Sequence, residues 1–137
     1  MTAKKKMIFV NQACGYLTVD IVNVFAQNYL CELYTGQVDP MDKELNASVK
    51  VTLLKKYERN SSFKRIYTWC FFSVQFFSKL IFRKKDFELF VFTNPPFTPF
   101  IAWLFNKTAG VPYHLLIYDV YPDALVNFKV IKKKRNY

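Results

Sequence analysis

Hydrophobic positions along the chain fall into short unbroken runs separated by longer segments with helical spacing. Met7–Val10 reads as a first strand, followed by the loop Asn11–Tyr16. Thr18 is placed to cap a helix over Val19–Tyr29, with Ile21, Val22, Phe25 and Tyr29 near helical spacing. Cys31–Thr35 reads as a second strand ending at Gly36, and Gln37–Ala47 as a polar loop. Val49–Leu53 alternates and reads as a third strand. Ser61 or Ser62 opens the longest helix, Phe63–Arg83. Phe87–Phe92 is a fourth strand, and Thr93–Thr98 a tight loop stiffened by Pro95 and Pro96. Thr98 as cap and Pro99 at the first helical position introduce a helix over Phe100–Thr108, closed by Gly110. The run from Tyr113 is a fifth strand: its apolar stretch His114–Tyr118 empties into Asp119, and Ala124–Leu125 start another helix.

This order predicts an α/β fold, a Rossmann-like and mostly parallel sheet with helices on both faces. Buried parallel strands are short apolar runs of this kind. A doubly wound domain normally carries a further strand or two. The chain is therefore expected to be one domain, residues 1–137, and one incomplete half of a larger architecture.

Composition refines the picture. Hydrophobic residues make up 52% of the 137 positions, which excludes a disordered tail. A net charge of +10 asks for an anionic partner. With 19% aromatic residues, an anionic membrane surface suits this chain better than a nucleic acid. No nucleic-acid-binding signature is present. The long helix is apolar around most of its circumference, more than packing on a sheet requires. Trp69, Phe72 and Phe76, with Lys79, Arg83 and Lys84, are expected to face a membrane, or else a missing domain or second chain. No run reaches the ~20 apolar residues that span a bilayer. Cys14, Cys31 and Cys70 are far apart, which suits free thiols in a reducing compartment.

Candidate chemistry gathers at the strand exits. In open α/β sheets ligands bind beyond the carboxyl ends of the strands. Gly15 and Tyr16 follow the first strand, where a loop can let a sugar or phosphate approach the backbone. One glycine is no dinucleotide fingerprint, so a nicotinamide cofactor is not expected. Asn94 supplies an amide on a rigid rim. Asp119 leaves a buried strand and is the candidate general base. Tyr121 and Asp123 are candidate binding residues, Asp123 doubling as a helix cap. Asp20 is read as a dipole-stabilising carboxylate in the first turn of its helix. His114, at the start of its strand, is read as packed or surface-exposed. No metal-ligand spacing is found, and no cofactor is predicted.

Three segments together resemble a known family. Lys6-Met-Ile-Phe-Val-Asn-Gln with Gly15-Tyr16, Val91-Phe-Thr-Asn-Pro-Pro, and Leu116-Ile-Tyr-Asp-Val-Tyr-Pro-Asp-Ala-Leu are similar to the N-terminal half of glycosyltransferase family 4 enzymes of GT-B architecture. The likeness is to bacterial members that build O-antigen and capsule. It implies the acceptor-binding half of an enzyme passing a sugar from a nucleotide-sugar to a polyprenyl-diphosphate-linked or other cell-surface glycan acceptor. It also implies a cytoplasmic protein peripheral to the inner face of the plasma membrane, inactive without a donor-binding domain or subunit. Tyr118 stands where many relatives carry His before the acid. The alternative is a non-catalytic basic module that binds nucleic acid or an anionic membrane.

Overall fold

The computed structural model describes residues 4–39 and 43–118. Strand β1 (Lys6–Val10) lies at the centre of the main sheet, and the two-residue β2 (Ala13–Cys14) follows it. Helix α1 (Tyr16–Ala26) leads to β3 (Leu30–Thr35), the two-residue β4 (Gln37–Val38) and β5 (Lys50–Leu53). Helix α2 (Ser62–Ile81), β6 (Phe87–Phe92), α3 (Thr98–Ala109) and β7 (Tyr113–Leu116) complete the described order. The main sheet runs β5-β3-β1-β6-β7, with every neighbouring pair parallel. The predicted α/β, Rossmann-like class is the observed one. β2 and β4 pair beside it as a small parallel ladder, inside segments whose sequence predicts loop.

Successive strand residues point to opposite faces, and here both faces are apolar. Ile8 and Val10 face one layer, with Leu89, Val91 and Tyr34; α2 and α3 cover it through Phe72, Phe76, Leu80, Ile101 and Phe105. Met7 and Phe9 face the other layer, with Cys31, Leu33 and Phe92, beneath Val19, Val22 and Ala26 of α1. This two-sided burial explains the apolar runs Met7–Val10 in β1 and Leu89–Phe92 in β6. β5 is different. It is an edge strand, and its Leu53 is 68% exposed.

Several sequence expectations need correction. Helix α1 begins at Tyr16 with Gly15 as N-cap, so Thr18 is not its cap. Asp20 accordingly sits beyond the first turn, where it pairs with Lys43. The cap of α2 is Ser61, whose hydroxyl accepts from the Lys64 amide at 3.2 Å. Thr98 is already helical, with Phe97 as N-cap, and its buried hydroxyl instead donates to the carbonyls of Phe92 and Pro95. Gly110 closes α3 at φ 66°, in the left-handed region that favours glycine there. β7 ends at Leu116, two residues short of the predicted strand.

The proposed membrane-facing set also divides. Phe72 and Phe76 are fully buried against the sheet, because they lie on the one stripe of α2 that meets it. Trp69 turns into a cleft described below. The Arg83 guanidinium makes a two-pronged pair with the Glu32 carboxylate at 2.7 Å per contact and donates to the Tyr34 hydroxyl at 3.0 Å. That hydrogen bonding holds the Glu32 carboxyl below the usual carboxylate range. Lys79 and Lys84 are exposed. The apolar residues that reach solvent on α2 are others, among them Phe63, Ile66, Tyr67 and Val74. No helix of the described residues is long and apolar enough to cross a membrane.

Candidate binding cleft at the strand exits

The chain leaves β1 toward β3 on one side and returns through α2 to β6 on the other. The topological switch point is therefore between β1 and β6, the usual ligand position in an open α/β sheet. A cleft of about 830 Å³ opens there. Its floor is Asn11 and Ala13 from β1's exit with Thr93 and Asn94 from β6's exit. The start of α1, at Gly15, Tyr16 and Leu17, forms one wall. Tyr57, Arg59, Arg65 and Trp69 form the opposite wall.

The floor is held by a short polar chain. The Asn11 amide donates to the Thr18 hydroxyl at 2.8 Å, and that hydroxyl lies 3.1 Å from the Tyr118 phenol. The Tyr118 amide donates to the Thr93 hydroxyl at 3.2 Å, and its ring stacks on Phe92. Burial pushes the Tyr118 phenol above its ordinary pKa, opposed by its bond to Thr18. Tyr118 is thus a neutral hydroxyl on the cleft floor, donor or acceptor as a ligand requires.

Gln12 holds the loops around this floor. It is fully buried. Its amide nitrogen donates to the carbonyls of Lys55 at 3.0 Å and Thr68 at 2.9 Å. Its backbone N–H donates to the Asn94 carbonyl, and its carbonyl accepts from Gly36 N–H, both at 2.9 Å. One residue therefore ties the exits of β1, β3, β5 and β6 to α2. Gly36 is required for this closeness. A Cβ there would stand 2.6 Å from the Lys55 carbonyl oxygen and 2.8 Å from the Lys56 Cα. Gly15 carries no such constraint, since a Cβ there meets nothing within 4 Å.

The far wall is aromatic and cationic. Tyr57 and Trp69 stack nearly parallel, 3° between planes and 5.9 Å between centroids. Arg59 lies over the outer face of this pair, 5.5 Å from the Tyr57 centroid. The Trp69 indole N–H is buried and has no hydrogen-bond partner among the described residues. Neither Arg59 nor Arg65 forms a salt bridge with a described residue. Across the cleft, the first amides of α1 carry the positive end of its dipole. No carboxylate from the described residues lines the cleft. The arrangement suits an anion beside a flat or ring-shaped group.

Of the predicted site residues, Gly15, Tyr16 and Asn94 come together here. Asp119, Tyr121 and Asp123 lie outside the described residues, as does the helix expected from Ala124. His114 is half exposed on β7 and bonds Glu88 at 3.2 Å, away from the cleft. The sequence assigns Tyr57, Arg59, Arg65 and Gln12 no place in a site, and Thr18 only that of a helix cap. Arg59 and Arg65 flank the Ser61 cap, and a basic pair where a crossover helix begins was the available signal. The described residues hold no group of three or more His, Cys, Asp or Glu able to take a metal.

No protein-family model and no curated protein matches this chain. Among solved structures, the chain is similar to the C-terminal domain of a hydrogenase from Pyrococcus furiosus, seen in two crystal structures. One is 17% identical with a TM-score of 0.49, over 84% of this chain and 94% of that one. The other is 15% identical with a TM-score of 0.50, over 85% and 96%. A likeness this distant speaks to the fold alone.

Proposed function

We propose that the chain is the acceptor-binding half of a glycosyltransferase, and that the cleft holds an acceptor carrying a phosphate or diphosphate next to a sugar. The observation that carries this reading is the opposition of Arg59 and Arg65 to the start of α1, with the Tyr57–Trp69 stack between them. Phosphate oxygens accept from guanidinium groups and from helix N-terminal amides. A pyranose ring lies well against an aromatic face, and its hydroxyls match Asn11, Asn94 and Tyr118. The sequence resemblance gives the reaction class: a nucleotide-sugar gives up its sugar to an acceptor hydroxyl. Asp119, directly after Tyr118, is the proposed base that takes the hydroxyl proton. The donor-binding half is a separate domain or subunit in this reading. Basic Lys79 and Lys84 and the exposed aromatic residues of α2 support a peripheral position on an anionic leaflet, where each basic residue near the surface contributes about 1 kcal/mol.

The test is equilibrium binding by the whole chain. A saccharide diphosphate should bind, and a nucleotide-sugar should bind poorly. Arg65→Ala should weaken the former about tenfold or more, the loss of one charge-assisted hydrogen bond at about 1.5–3 kcal/mol. Tighter binding of an oligonucleotide, with a steep salt dependence, would favour the basic-module alternative.

A further inference from the structure

α2 and α3 cover the same face of the sheet and touch through Phe77 and Phe105, whose rings meet edge to face with centroids 5.6 Å apart. Between the helices runs an apolar groove of about 270 Å³, lined by Val74, Phe77, Phe97, Phe100, Ile101 and Leu104. It shares no lining residue with the cleft. The groove is a trough: Ile101 and Ser73 at its floor are each 7% exposed, while Val74 and Phe100 on its rims are 63% and 62% exposed. Phe100 stacks on Trp103, and with Phe97 these rings leave roughly 300 Å² in water at about 200 Å² per ring. A surface patch of that size is commonly an interaction site. Phe71 and Lys79 stand roughly 110° and 170° around α2 from the groove at 100° per residue, so the flank offered to an anionic leaflet is a different surface.

One end of the groove is cationic. Lys107 follows one turn after Trp103 on α3, exposed and in no salt bridge with a described residue. The Lys85 ammonium lies 4.8 Å from the centroid of the Phe105 ring. Neither helix carries a carboxylate.

We propose that this groove docks an amphipathic α-helix of a partner protein, one with an apolar ridge at i, i+3 or i+4, and i+7 and a carboxylate at the end that meets Lys107. The inference goes beyond the reading of the cleft and does not rest on it. Phe97 to Leu104 spans about 10 Å at 1.5 Å per residue, the length of i to i+7 on the incoming ridge. Ridges of helix side chains seat in such grooves. A second copy is a poorer occupant. Groove against groove, it brings Lys85 and Lys107 toward their own kind, and each chain carries a net +10. The chain's own residues 119–137 hold five Lys or Arg against two Asp, the wrong sign for that end. A bilayer offers a flat surface, whereas a trough asks for a ridge.

The probe is a fluorescein-labelled peptide of about 18 residues, long enough to be helical, with a leucine ridge and glutamates at both ends. One control replaces the glutamates with lysines, and another shuffles the leucines out of register. Binding to the whole chain is read by fluorescence anisotropy. The acidic ridge peptide should bind at least tenfold more tightly than the shuffled one, and about threefold more tightly than the lysine one. The double variant Val74→Gln with Phe100→Gln should erase the tenfold preference, and Lys107→Glu should reverse the charge preference. Both groove positions are exposed and helical, and glutamine is a good helix former, so the fold should hold; circular dichroism and the unfolding midpoint check it. Saccharide diphosphate binding in the cleft should be unchanged in all these variants, which separates the two readings. Equal binding of ridge and shuffled peptides overturns the inference, as does a ridge preference that survives the double variant. A preference for the lysine peptide overturns the acidic partner. Sedimentation with phosphatidylglycerol vesicles that is lost in the double variant overturns it in favour of a bilayer. Self-association lost in the same variant overturns it in favour of a second copy.

Discussion

Gln12 offers the sharpest test of how the cleft is built. Replacing it with alanine removes a fully buried side chain and both of its donated hydrogen bonds, to the carbonyls of Lys55 and Thr68. An orphaned buried carbonyl costs about 1–3 kcal/mol. The space left by a long side chain adds a cavity term, and truncations of comparable size cost about 2–5 kcal/mol in cores. The Gln12 side-chain oxygen has no partner among the described residues, so removing it recovers part of the loss. The expected net cost is about 3–4 kcal/mol, a large share of the 5–15 kcal/mol typical of a domain. Gln12→Met keeps the volume and removes the polarity, and should cost about 1–3 kcal/mol. Urea unfolding followed by tryptophan fluorescence reads both, as shifts in midpoint at constant slope. Gln12→Met should also loosen the Tyr57–Arg59 segment, which follows Lys55, and weaken ligand binding beyond its effect on stability. A Gln12→Ala variant within about 1 kcal/mol of the parent would refute the view that this residue holds the four strand exits together.

Gly36→Ala should destabilise by about 1–3 kcal/mol or more, because the new methyl meets backbone atoms of Lys55, Lys56 and Gln12 that cannot swing aside; Gly15→Ala, with open space, should be far milder in the same urea titration. Burial raises the thiol pKa of Cys14 and Cys31 from near 9 to about 11. Their neutral form is favoured in the fold, so this contribution is complete below pH 9 and is lost as pH rises toward 11. A thiol reagent at pH 8 should therefore label exposed Cys70 quickly and the other two only on unfolding, as read by mass spectrometry.

Much of the fold was legible because both sheet faces are buried. Met7–Val10 and Leu89–Phe92 stand out as apolar runs, and β6 spans Phe87–Phe92, as its sequence predicts. Gly110 was legible as well, since a helix end in the left-handed region favours glycine. The long aromatic helix was read less well. Its composition shows an excess of apolar residues but not which stripe meets the sheet, so the sequence points Phe72 and Phe76 outward although they are core. The caps at Thr18 and Thr98 failed for a related reason. A threonine before a helical run fits a cap and also fits a first-turn hydroxyl that bonds back to a loop, and tertiary packing chose the second. The candidate site was half legible. Strand-end logic found Gly15, Tyr16 and Asn94, which come from β1 and β6. The opposite wall comes from the β5–α2 crossover; the basic pair Arg59 and Arg65 signals an anion site there, but its meeting with Gly15 and Asn94 at one sheet edge is set by the strand order.

The strand order has a consequence for how the chain is made. β1 needs β3 on one side and β6 on the other, yet it is synthesised first, and β6 ends only at residue 92. Until that residue clears the ribosome, β1, whose Met7–Val10 are all buried in the fold, has one open edge. Parallel pairing at such sequence separation is slow to form and prone to aggregation while incomplete. A nascent chain halted before β6 should therefore be the form most dependent on chaperones, and one extended past β7 should be released from them.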